Sequence, residues 1–171
     1  ARARAGTMSL MLAGPAPVVE RHARLLADLS DAVFRVSERV GDGARTKLVN
    51  NLLAAADLAG AAEVLALAER LGLDAGTTLG VIERSSGQSW IGSDRMHRAL
   101  AGDDAPRAHM TLLAKDSGLA VAAAQRAGHA GVLGPLAAAV FAAALRDGLA
   151  GHDDAALLDW MRNHPDGLPR P

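Results

Sequence analysis

Cysteine is absent from all 171 residues, so no disulfide framework, thiolate metal site or cysteine nucleophile can form. Aromatic side chains make up only 2% of the chain, although half of it is hydrophobic. The apolar mass is Ala, Leu and Val, and the helix preference of Ala and Leu makes a mainly α body the expectation. A dominant charge is missing too. The net charge is −1 with a pI near 6.7, and Lys and Arg are scattered, which points away from nucleic acid and anionic membranes and towards a small molecule or another subunit as partner. No run approaches the ~20 apolar residues of a membrane span. The start, ARARAGTMSLMLAGP, has the basic beginning and short apolar run of a signal peptide. Its apolar part is at the short end and passes at once into sequence that reads as folded, so a soluble cytoplasmic protein is expected.

Several chemical motifs are also missing. The six histidines, His22, His97, His109, His129, His152 and His164, show no HExxH or other helical ligand spacing, and no metal site is expected. There is no GxGxxG, no GxxxxGK[ST] and no GxSxG, hence no phosphate loop or nucleophile elbow. Ser85, Ser86, Ser89 and Ser93 read as hydrogen bonders in a loop.

What is present begins with strand, helix, strand. Thr7 to Ala13 is a short apolar run closed by Gly14-Pro15; Val18 to Leu29 has amphipathic helical spacing; Ala32 to Val36 reads as a second strand. Such a unit cannot form a sheet alone, and it looks like the last piece of an α/β domain. Then comes GDGARTKLVNN, residues 41–51, leading into a run of helix formers that predicts a helix from Thr46 to Leu71, roughly 37 Å long. Gly72 suits its C-cap, and Asp74 with Thr77 or Thr78 starts another helix through Ser85. Residues 85–96, SSGQSWIGSDRM, read as a loop around a buried Trp90, and residues 100–107 as a second loop. Helices are expected at 108–127, 133–147 and 154–162, with Asp153 as a cap and Asp154 suited to the positive helix end, before a disordered tail at 164–171.

Two polar pairs stand out. Lys47 and Asn51 share one helical face at i, i+4, where a lysine could exchange a proton with a substrate hydroxyl or carbonyl and an amide could fix that oxygen. The plainer reading is a surface lysine with an accidental neighbour. Lys115-Asp116 lies inside an apolar helix. Either it belongs to a solvated face, or Lys115 meets a cofactor phosphate or ribose.

Four stretches, in order, resemble the β-hydroxyacid dehydrogenases, the family that includes 3-hydroxyisobutyrate dehydrogenases and relatives acting on glycerate and sugar acids. GTMSLMLAG is similar to the strand after that family's substrate-binding Ser-Gly-Gly segment; GDGARTKLVNN is similar to its GxGxxxKxxxN; SSGQSW and AKDSGLAVAAA are similar to the loop and the Lys-Asp helix of its helical domain. The resemblance implies NAD(P)-dependent oxidation of a β-hydroxy acid. Lys47 would be the catalytic proton-transfer group, Asn51 and Asp116 substrate-binding residues, and Lys115 cofactor-binding; Gly43 would let the backbone turn close to the active site. The SSGQSWIGSDRM…KDSGL pattern is most similar to the four-carbon sugar-acid branch, such as threonate dehydrogenases.

The implied fold is an all-α dehydrogenase C-terminal domain at 41–171, with residues 41–71 as a long interdomain helix. Residues 1–40 would be the remnant of an NAD(P)-binding Rossmann domain. The fingerprint and Ser-Gly-Gly segment fall upstream of this chain, so NAD or NADP would be bound mainly by the missing domain and the fragment alone would be inactive. Ser117 departs from the family's usual Leu. The family assembles through its helical domain, implying a homodimer or homotetramer. Two other readings stay open: a non-catalytic helical oligomerisation module, and another superfamily member such as a 6-phosphogluconate-like or imine reductase.

Overall fold

The computed structural model describes residues 5–168. The basic ARAR start and residues 169–171 of the expected tail lie outside them. Residues up to Asn50 and residues from Asn51 onward form two compact units.

In the first unit, β1 (Leu10–Ala13) pairs in parallel with β2 (Val33–Ser37) through α1 (Ala16–Arg21) and α2 (Ala23–Leu29). The register runs from Leu10 opposite Val33 to Leu12 opposite Arg35, then shifts so that Ala13 faces Ser37. The expected single helix from Val18 to Leu29 starts earlier, at Ala16 directly after Pro15, and is broken at His22. Ser30 ties the turn before β2: its hydroxyl donates to the Met8 carbonyl and accepts from the Ala32 N–H. Leu25, Leu29, Val33 and Phe34 are exposed. Parallel strands are normally covered on both faces, and this pair is not.

Helix α3 (Asp42–Arg70) runs from the first unit into the second. It begins four residues earlier than the expected Thr46, because Asp42 supplies an acidic first turn and Gly43 is already helical. Its 29 residues extend about 42 Å. Ala55, Leu58, Ala62 and Leu65, at steps of three and four, are completely buried. An 18-residue window of α3 reaches a mean hydropathy of 1.5, so by length and composition this helix could cross a membrane, contrary to the expectation that no run comes close. The cause is that α3 is apolar on two faces: Leu53, Val64 and Leu67 lie exposed opposite the buried stripe.

The second unit continues with α4 (Ala75–Ile82), α5 (Trp90–Leu100), α6 (Met110–Arg126), α7 (Leu133–Arg146) and α8 (Leu157–Asn163), with short 3-10 turns at Leu149–Gly151 and Asp154–Ala156. Gly72, at φ +77°, ends α3 while the Leu73 N–H bonds the Ala68 carbonyl, and the Asp74 carboxylate caps α4 by accepting from the Thr77 N–H. The core is built from Leu58, Leu65, Leu79, Met96, Met110, Phe141, Leu157 and Leu158. Alanines and glycines bring the helices close. A Cβ on Gly92 would meet Ala61 at 3.1 Å, and one on Gly134 would meet Leu52 at 2.9 Å.

Two expectations fail here. Residues 85–96 are not all loop: α5 starts at Trp90, with the Ser89 hydroxyl accepting from the Gly92 N–H, and Ser93 is helical. Trp90 is 56% exposed. The helix is hidden in the sequence because Gly92 and a buried Arg98 stand where the apolar stripe would be. Nor is the tail free from residue 164: the His164 ring stacks on Trp160 at 4.1 Å, and Leu168 packs against the core.

Candidate functional site

The start of α3 is fixed from several sides. Gly41 takes φ +95°, which glycine adopts without strain, and turns the chain into the helix. Gly43 serves differently: a Cβ there would lie 2.3 Å from the Met11 carbonyl oxygen, so the helix runs directly against the backbone of β1. The Asp42 carboxylate accepts from Arg39, from the Ser37 hydroxyl at 2.7 Å and from Arg45 at 2.7 Å. Arg39, with Ser37 and Arg45, holds that carboxyl well below the usual range. Lys47 follows in the second turn, exposed, and Asn51 comes one turn later on the same helix. Lys47 and Lys115 are the only lysines among 18 basic residues.

Asn51 belongs to the second unit and meets α6. Its Nδ2 donates to Oδ2 of Asp116 at 2.7 Å, while Oδ1 of Asp116 lies 3.1 Å from Nζ of Lys115. Asn51, Asp116 and Lys115 are therefore brought together across two helices. Asp116 is only 5% exposed, whereas the Lys115 side chain is 59% exposed. The solvated-face reading thus fails for Asp116 and fits Lys115. Ser117 is fully buried with its hydroxyl donating to the Leu113 carbonyl at 2.7 Å, so the polar group is satisfied within the helix.

A second polar cluster gave no signal in the sequence beyond the Asp153-Asp154 pair and the i, i+3 arginines of α5. The Asp153 carboxylate accepts from the backbone N–H groups of Arg107, Ala108 and Ala155 and lies 3.0 Å from Arg98. Burial opposes its charge, but those hydrogen bonds outweigh burial and hold its pKa well below the usual value. Asp154 stands, as expected, in the first turn of the 3-10 helix that Asp153 caps, and its carboxylate also points inward to Nε of Arg95 at 2.5 Å; burial pushes its pKa up to about 6. This cluster clamps the 101–109 loop and the 3-10 turn to α5. Arg95 also lies 5.9 Å over the ring of exposed Trp90. A cleft of about 230 Å³ between Leu52, Val121, His129, Gly134 and Pro135 is mostly apolar and gathers no set of reactive groups.

Residues 41–161 match the family model described as NAD-binding of NADP-dependent 3-hydroxyisobutyrate dehydrogenase. An L-threonate dehydrogenase of Cupriavidus necator is 34% identical over 158 residues, 92% of this chain and 53% of that one. Among solved structures, a 3-hydroxyisobutyrate dehydrogenase from Salmonella typhimurium superposes with a TM-score of 0.87 at 30% identity, covering 93% of this chain and 56% of that one. One from Mycobacterium tuberculosis, solved with L-serine, gives 0.83 at 26% identity, covering 94% and 57%. The chain spans about half the length of the curated relatives it matches.

Proposed function

Because the chain belongs to the family of the NAD-binding domain of NADP-dependent 3-hydroxyisobutyrate dehydrogenase, we propose that it is the helical, site-completing part of a cytoplasmic NAD(P)-dependent oxidoreductase that oxidises the hydroxyl of a β-hydroxy acid. L-threonate, a four-carbon sugar acid, is the substrate we favour, from the relative at 34% identity. Residues 1–40 are then the closing piece of the nucleotide-binding domain, and residues 41–171 the substrate and assembly domain.

The observation that carries this reading is the Asn51–Asp116–Lys115 arrangement, which joins two motifs 65 residues apart. Lys47, one turn before Asn51, accepts the hydroxyl proton during oxidation and returns it during reduction. A lysine amine can exchange a proton with a bound hydroxyl, which the guanidinium of the sixteen arginines cannot do. Asn51 holds the reacting oxygen. The nicotinamide cofactor supplies the hydride acceptor. Lys115 fits it as an exposed cation able to meet a phosphate or ribose, but the chain has no glycine-rich phosphate loop, so these residues alone bind NAD or NADP weakly and do not turn over. The exposed stripe Leu53, Val64 and Leu67 supports assembly as a homodimer or homotetramer through the helical unit.

The test is Lys47→Ala in the enzyme that carries this chain. With L-threonate and related C3 and C4 hydroxy acids, kcat is expected to fall about 10²-fold or more, the scale of general acid–base catalysis. Near-normal turnover would remove Lys47 from the chemistry.

A further inference from the structure

We infer that Asp116 does not touch the substrate but is a positioning residue that fixes the orientation of the Asn51 amide. The inference rests on the reading of Asn51 as a substrate contact. Asp116 is almost completely buried, with one carboxylate oxygen on the Asn51 amide and the other beside Lys115. A carboxylate brought against an acid substrate would repel it, whereas one placed behind an amide has a different use. An ionised carboxylate only accepts hydrogen bonds, so the amide must turn its N–H side towards Asp116.

The two ends of a planar amide point apart. With one Nδ2 proton committed to Asp116, the plane of the Asn51 amide is fixed, and so are the directions of its Oδ1 and of its second N–H. The reacting oxygen therefore meets the amide in one orientation, both as hydroxyl and as carbonyl. An asparagine without that anchor would exchange its two ends by flipping through half a turn. The orientation is thus set from α6 through α3.

Two measurements test this. In a 15N-edited NMR spectrum of this chain, the Asn51 side-chain signals, identified by their loss in Asn51→Asp, are expected to exchange slowly, with one proton shifted downfield. Asp116→Asn, which keeps the shape but removes the obligate acceptor, should move both signals and speed exchange by about tenfold or more. Unmoved signals in a variant that melts like wild type would overturn the proposal. Should that variant fail to fold, a rapidly exchanging Asn51 amide in the wild-type spectrum would overturn it equally.

The second measurement is a double-mutant cycle in the enzyme that carries the chain. Asp116→Asn and Asn51→Ala are each expected to raise the hydroxy-acid KM by about tenfold with a smaller change in kcat. Together they should be no worse than Asn51→Ala alone. Additive effects would show Asp116 acting independently and overturn the proposal. A wild-type enzyme inactive on every hydroxy acid would instead overturn the functional reading, and with it the substrate role of Asn51, while leaving the NMR result to judge the contact itself.

Discussion

Gly43→Ala sets two physical effects against each other with opposite signs. In a helix interior, replacing glycine by alanine normally adds about 1 kcal/mol through backbone entropy. At Gly43 the new Cβ would lie 2.3 Å from the Met11 carbonyl oxygen, closer than real Cβ atoms come to any neighbour. The obstacle is backbone in a paired strand, so no side-chain rotation relieves it; helix and strand must separate by nearly 1 Å. Overpacking of this kind costs about 1–3 kcal/mol. Adding the two, the variant should lose up to about 2 kcal/mol. Gly118→Ala is the control: Gly118 sits within α6 with nothing inside 4 Å of its Cβ position, so only the helix term operates. Urea unfolding monitored by circular dichroism reads both, and hydrogen exchange at the β1 amides reads where the damage falls. A Gly43→Ala chain as stable as Gly118→Ala, or stabler than wild type, would refute the close approach of α3 to β1.

Three further outcomes follow from individual residues. Lys115→Ala in the enzyme that carries this chain should raise the cofactor KM while leaving the hydroxy-acid KM nearly unchanged; an unaltered cofactor KM would return Lys115 to a solvated face. Asp154 has a native pKa raised to about 6 against an ordinary 3.8, so the folded state holds the proton more tightly than the unfolded chain. Its contribution is therefore fully present below about pH 4 and is lost as pH rises through about 6. Between pH 4 and 6.5 the melting temperature of Asp154→Asn relative to wild type should rise with pH, and a flat difference would show that Asp154 is ionised throughout. Finally, light scattering should find an oligomer that Leu53→Glu with Leu67→Glu dissociates; an oligomer indifferent to that pair would place the interface elsewhere.

Much of the helical frame could be read from the chain because it depends on local chemistry. The cap at Asp74, the terminator at Gly72 and the strand, helix, strand opening each follow from a few neighbouring residues whose preferences agree. Lys47 and Asn51 were legible as a pair for the same reason, since i, i+4 spacing on a helix is a local fact. The failures share a cause as well. The sequence reads Trp90 as buried and its segment as loop, because the stripe that marks α5 as a helix contains Gly92, where a Cβ would lie 3.1 Å from Ala61 of α3, and Arg98, which is buried against Asp153.

The sequence by itself determined that the body is helical and that the chain carries no cysteine chemistry and no phosphate loop. It also determined that one helix would present a lysine and an amide on the same face, since these properties reside in residue type and short spacing. Only the tertiary structure decided that Asp116 lies behind Asn51 rather than in solvent, that Gly43 is required for contact rather than for flexibility, and that Asp154 faces Arg95 inside the protein. Each depends on which surfaces meet across a long stretch of chain, and no local preference contains that information.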